Sequence, residues 1–206
     1  MNTQMTYGTA MLVALMTLGS ARVEATEGDW LFRFGAHQID PKSNNHPVVR
    51  VDSGTSLTLS ATYFLTNNVA FELLGAAPFN HDIRLVDGGT RVGKTRHLPP
   101  TFSVQWHFAP EAQTFKPYVG AGLNYTAFFD EKTSGPLAGS KLELDSSLGL
   151  SAELGMDVAL TDDWAVNFNV RWFDIDSDAK LDGADLGTVE IDPYAYGVMF
   201  TRKVRY

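Results

Sequence analysis

From Trp30 onward the chain alternates apolar and polar residues with a period of two. The clearest stretch runs from Leu148 to Leu160: Leu148, Leu150, Ala152, Leu154, Met156, Val158 and Leu160 share one face, and Ser147, Gly149, Ser151, Glu153, Gly155 and Asp157 the other. Three polar residues, Thr161-Asp162-Asp163, lead into Trp164, Val166, Phe168, Val170 and Trp172, set against Asn167, Asn169 and Arg171. Side chains of a strand point to opposite faces in turn, so this pattern predicts two long strands joined as a hairpin; a 3.6-residue period fits neither segment. The same reading gives strands at 30–39, 55–65, 69–76, 98–108, 116–129 and 189–206, eight in all, connected in sequence order. Connections after the even-numbered strands are short (TNN, APEAQT, TDD), and the others are longer and rich in Gly, Asp, Asn and Pro. This predicts an all-β fold, an eight-stranded antiparallel up-and-down transmembrane β-barrel with short turns on one rim and long loops on the other.

Alternation alone does not say which face is outside, since a soluble lipocalin-like carrier has the same pattern turned inside out. Three features favour lipid on the apolar face. Aromatics stand at the strand ends (Trp164 and Trp172, with Tyr63, Trp106, Phe108, Phe129, Tyr194 and Tyr206), as interfacial girdles do. The polar face is built of small residues such as Ser56, Thr58, Ser60, Thr62, Gly120, Gly122, Asn124 and Thr126, which suit a narrow lumen. The last strand also ends on an aromatic residue.

Arg33, Glu72, Gln105, Glu153, Asp157, Asn167, Asn169, Arg171 and Lys203 then point inward. Opposite charges in so narrow a lumen are expected to pair and form a polar plug. Toward the long-loop rim the inward positions become apolar, with Leu74, Leu98, Phe128, Phe173, Ile175, Ile191, Pro193 and Ala195. These predict an upper pocket for a small apolar ligand, bounded by Leu74, Leu98, Phe128, Phe173, Ile175 and Ile191.

Composition changes this picture little. The 206 residues carry 44% hydrophobic and 19% charged side chains, a single domain's worth. The formal charge of −8 argues against a nucleic-acid partner, and the absence of cysteine excludes disulfides and thiolate chemistry. The N-terminus does add something. An apolar run at 10–18 and small residues at Val23 and Ala25 predict a cleaved signal peptide over 1–25, leaving 26–206 as the barrel. No Lys or Arg precedes the apolar run.

Several stretches then stand out together: APFNHDI at 77–83, HLPPT at 97–101, PYVGAGLNYTAFFDE at 117–131, DSSLGLSAELGMDVAL at 145–160 and VEIDPYAYGVMF at 189–200. In this order they resemble the OmpW family of eight-stranded outer-membrane proteins, with its OprG-like and AlkL-like members. The resemblance implies a Gram-negative outer-membrane location and uptake of small hydrophobic molecules, which enter from outside and leave sideways through the barrel wall. Pro99 and Pro100 cannot donate ladder hydrogen bonds, so strand pairing is expected to break there and form a lateral gate, with Pro193 as a second break of the same kind. The expected partners are small hydrophobic solutes, outer-membrane lipid and lipopolysaccharide, with the protein a monomer. A structural or host-interaction role acting through the long loops remains the main alternative, with the soluble carrier behind it.

Other motifs carry less. GGTRVGKT at 88–95 fits the phosphate-loop pattern, but Pro99 and Pro100 forbid the helix that must follow the lysine. The acidic run Asp174, Asp176, Asp178, Asp182 and Asp185 lacks the Gly and the bidentate Glu of a calcium loop and reads as a solvated loop. The five histidines show no metal-ligand spacing and no catalytic set is recognisable, so no enzyme activity, cofactor or metal is expected. Arg202 falls on the lipid face, where it is expected to snorkel to the short-turn interface.

Overall fold

A computed structural model of the chain describes residues 25–42 and 47–205. The predicted signal segment, Ala25 apart, lies outside the described residues, as do His46 and Tyr206. The strands are β1 (Trp30–Asp40), β2 (Val49–Val51), β3 (Gly54–Phe64), β4 (Val69–Ala76), β5 (Phe79–Leu85), β6 (Arg91–Leu98) and β7 (Thr101–His107). They continue as β8 (Phe115–Thr133), β9 (Leu142–Leu144), β10 (Ser147–Ala159), β11 (Trp164–Phe173), β12 (Asp176–Leu181), β13 (Ala184–Glu190) and β14 (Tyr194–Val204).

Eight of these close a barrel in the order β1-β3-β4-β7-β8-β10-β11-β14, and β14 returns antiparallel to β1 from Trp30↔Val204 to Asp40↔Tyr194. Closure gives every barrel strand two neighbours, which is what allows strands to stand in hydrocarbon. Tight connections lie at one end, where Leu65 N–H bonds Val69 O and Leu160 N–H bonds Trp164 O.

The wall is apolar outside and polar inside. Leu57 and Leu148 are each 71% exposed, whereas Arg33 is 1% exposed and Asn167 and Thr201 are fully buried. A soluble barrel reverses that order, so the outer face is the lipid face. At the short-turn rim Trp30 packs on Tyr63 with ring centroids 5.0 Å apart. There Arg202 stacks its guanidinium over Trp164 (5.1 Å) and pairs with Asp163 (3.0 Å). The lipid-face arginine thus reaches the interface, where its charge stays hydrated.

Two predicted strands are divided. The one read over 98–108 begins only at Thr101, because Pro99-Pro100 separates β6 from β7. The one read over 189–206 breaks at Asp192, which has φ +33°, and Pro193; residues before the break belong to β13 and those after it to β14. The long loops are themselves sheet. β6 pairs with the upper half of β8, β5 with β6 and β2 with β5, and β9, β12 and β13 form a separate three-stranded sheet. GGTRVGKT sits in the β5–β6 hairpin with its lysine on a strand, and the acidic run, Asp174 apart, sits on the β12–β13 hairpin.

Glycines let large side chains into the lumen. A Cβ on Gly155 would collide with the fully buried Tyr118 ring, and one on Gly197 with the His37 imidazole. Gly155→Val is therefore expected to cost ~1–3 kcal/mol through overpacking. Urea titration of the bilayer-inserted protein measures it, and the G155V/Y118A pair should cost less than the two single changes summed.

Candidate functional site

Alternation on five strands aims charged and amide side chains at one level of the lumen. Arg33 on β1 pairs with Asp157 of β10 (2.8 Å) and Glu72 of β4 (3.3 Å). Arg171 on β11 pairs with the other oxygen of Glu72 (2.7 Å) and with Glu153 (2.8 Å). Gln105 donates to Glu153 (3.0 Å), and Asn167 and Thr201 donate to Asp157 (3.0 and 2.9 Å). His37 is held between Thr58 and Asn169, each 2.8 Å away. Away from water, opposite charges in contact hold one another in place, so the network spans the lumen as a plug.

Above the plug the side chains change character. Ile39, Phe79, Phe173, Ile175 and Ala195 form a buried apolar cluster, with Ala76, Phe128 and Ile191 packed against it. Over this cluster lies a cavity of about 530 Å³. Its wall takes Ile39, Phe128, Ile175, Ile191 and Pro193 from the barrel rim, Val51, Ile83, Leu85 and Val92 from the β2-β5-β6 extension, and Leu144, Ala179 and Val189 from the second loop sheet. Such a size and lining suit a small apolar molecule. This level stands outside the hydrocarbon, because charge returns to the outer face: Arg96 of β6 pairs with Asp130 beyond β8's last outward aromatics (3.2 Å). Lys42 ties the rim together through Glu190 (2.6 Å) and Asp192 (2.8 Å), and these hydrogen bonds, Asp192 foremost, hold its ammonium above the ordinary lysine range.

His81 of β5 and His97 of β6 also line the cavity. Their rings stack 4.9 Å apart, and Phe79 stacks on His97 at 5.3 Å. Burial lowers both pKa values, that of His97 to about 3 with neighbouring His81 adding to the effect. Both imidazoles are therefore uncharged at neutral pH.

Just below the cavity the wall has a seam. β4 and β7 pair from Val69↔Trp106 to Leu74↔Thr101 and no further, so Gly75 and Ala76 face Pro100 and Pro99 without a ladder. A Cβ placed on Gly75 would meet nothing within 4 Å. The carbonyls of both prolines are satisfied elsewhere: Pro99 O accepts from Thr101 Oγ1 (3.0 Å) and Asn124 Nδ2 (3.3 Å), and Pro100 O from Tyr125 N–H (3.0 Å). With both proline carbonyls already bonded, the β7 side of the seam has little electrostatic reason to close.

The chain matches the OmpW family over residues 26–204. It belongs to that family. Outer membrane protein W of Vibrio cholerae is 42% identical over 202 residues, which cover 90% of this chain and 93% of that protein. The crystal structure of OprG from Pseudomonas aeruginosa superposes with a TM-score of 0.78 at 28% identity, covering 90% of this chain and 100% of that one. Outer membrane protein AlkL of Ectopseudomonas oleovorans is 26% identical over 212 residues, 89% of this chain and 90% of the relative. The protein is accordingly an OmpW-family barrel of the outer membrane, embedded in its lipid.

Within this OmpW-family barrel, Arg33, Glu72, Gln105, Glu153, Asp157, Asn167, Asn169 and Arg171 meet in one network. Of the six residues read as an apolar pocket, Phe128, Ile175 and Ile191 line the cavity, and Phe173 lies in the cluster beneath it. Leu74 is buried lower in the lumen, off the cavity wall. Leu98 is a correction. His97, Pro99 and Thr101 all face inward, which leaves half-buried Leu98 on the opposite face. Pro193 is a second correction. Its gap is bridged on both sides, by Lys42 N–H to Ile191 O (3.0 Å) and by Phe173 N–H to Pro193 O (3.2 Å), and it lines the cavity instead of breaking the wall. Sequence reasoning missed the cavity residues of the loop sheets, although alternation at Phe79, His81, Ile83 and Leu85 and the Asp182-Gly183 pair carried the signal.

Proposed function

We propose that this OmpW-family protein admits small hydrophobic molecules into the outer membrane. A solute leaves water for the apolar cavity, moves down to the seam at Pro99-Pro100, and passes sideways into the bilayer. The observation that carries this reading is the vertical order of the lumen: an apolar cavity outside, an ion-paired plug below, and an unpaired stretch of wall between them. An apolar molecule in the cavity meets buried charge if it continues down the axis, which is expensive, and hydrocarbon if it turns aside.

The test is uptake of an aromatic hydrocarbon by cells that produce the protein. Ala179→Trp places a large side chain in the cavity from β12, far from the membrane wall, and should bring uptake down to that of cells lacking the protein. Normal barrel assembly is checked by the mobility shift on boiling. Undiminished uptake with the cavity filled would overturn the reading and favour a role carried by the outer surface of the loops.

A further inference from the structure

The cavity wall is apolar, and most polar side chains that do line it are already engaged by the protein. Thr126 donates to Asn124 Oδ1, Thr133 to Ser140 O and Ser177 to Asp145 O, each at 2.7 Å. Thr95 bonds Arg96 O (3.4 Å), and Asp185 accepts from Gly187 N–H (2.8 Å). The two histidines differ. His81 Nδ1 sits 2.6 Å from the carbonyl oxygen of Asp52. A carbonyl only accepts, so the proton is on Nδ1 and His81 Nε2 carries a bare lone pair. That Nε2 is buried without a partner, and so is Nε2 of His97 in the adjoining ring.

From this we infer that the stacked His81–His97 pair makes the cavity selective for apolar molecules bearing a hydroxyl group, alcohols and phenols, over the parent hydrocarbons. The inference rests on the cavity being the solute's entry site.

A neutral hydroxyl supplies what the pair lacks. It donates its proton to the lone pair of His81 Nε2, and its oxygen accepts from His97 Nε2–H in the tautomer that bears a proton there. Binding in this way requires the two rings to turn until both nitrogens face the cavity they line, with the hydrocarbon body against Phe128, Ile175 and Ile191. Buried polar atoms left unmade are costly, so the molecule that satisfies them is bound in preference to one that cannot. A carboxylate gains less, because burial holds both rings uncharged and no ion pair forms.

The full chain in phosphatidylcholine nanodiscs tests this with 1-naphthol and naphthalene, each affinity corrected for partition into empty nanodiscs. The wild type should bind 1-naphthol about tenfold more tightly than naphthalene, the effect of a hydrogen bond that relieves a buried orphan. The H81F/H97F pair keeps the stacked rings and removes the nitrogens; it should abolish that preference and still bind naphthalene. Equal affinities in the wild type would overturn the inference while leaving the cavity reading intact, and so would a preference that survives in H81F/H97F. Failure of both probes to bind the wild type would overturn the cavity reading and this inference together. Equal affinities in the wild type overturn the inference without any variant, and if the double substitution prevents folding the single changes H81F and H97F, each expected to weaken the preference, take its place.

Discussion

Arg33→Met is expected to destabilise the barrel by ~3–5 kcal/mol, the usual cost of stripping one partner from a buried ion pair. Glu72→Gln should cost less, ~1–3 kcal/mol. The difference follows from how the plug is balanced. Two guanidiniums, Arg33 and Arg171, face three carboxylates, Glu72, Glu153 and Asp157, all buried. Removing Arg33 leaves Asp157 without its cation and Glu72 with only Arg171, so the excess of negative charge in a water-poor lumen grows. Removing the charge of Glu72 leaves Arg33 on Asp157 and Arg171 on Glu153, two complete pairs. Glutamine also keeps one oxygen for the Arg171 contact and fills the same volume. Urea titration of the vesicle-inserted protein, with boiling-dependent gel mobility as the folded signal, gives both values. Equal costs would mean that the groups act as packing volume and their charge is incidental.

The barrel was legible because the bilayer imposes a two-residue period on every strand that crosses it. Leu148–Leu160 and Trp164–Trp172 read correctly for that reason, and the network followed once Arg33, Glu72, Glu153, Asp157 and Arg171 were known to share the inner face. Above the membrane that constraint ends. β5 and β6 carry Asn80, Asp82, Arg84, Lys94 and Arg96 on their outer face and water on that side, so a stretch rich in Gly and charge read as loop although its inner face, Phe79, His81, Ile83 and Val92, was apolar and in phase. Part of the cavity wall was lost with it, and His81 and His97 were given no role. Spacing along the chain cannot show that two rings sixteen residues apart stack; only the β5–β6 pairing Phe79↔His97 brings them together. Leu98 was misplaced for a related reason. The inner-face phase runs unbroken through Pro99 from β6 into β7, so its neighbours His97 and Pro99 take the inward positions.

Replacing Pro99 and Pro100 by valine should cut uptake of an apolar solute about thirtyfold while leaving the barrel folded. The register decides what the change restores. Leu74 stands opposite Thr101, so Ala76 stands opposite residue 99 and Gly75 opposite residue 100. Pro100 O is taken by Tyr125 N–H on the β8 side, and backbone groups of successive strand residues point to alternate sides. Residue 99 therefore faces β4, and a valine there can exchange two ladder hydrogen bonds with Ala76. At ~1 kcal/mol each, two bonds shift the balance between an open and a closed seam by about thirtyfold. Pro117→Val is the matched control. Pro117 lies on β8 near the short-turn end, away from the cavity, and Phe108 N–H already bonds its carbonyl, so a new donor there meets no opening and should leave uptake unchanged. If P99V/P100V transports like the wild type while Ala179→Trp does not, the solute enters through the cavity but leaves by some path other than this seam.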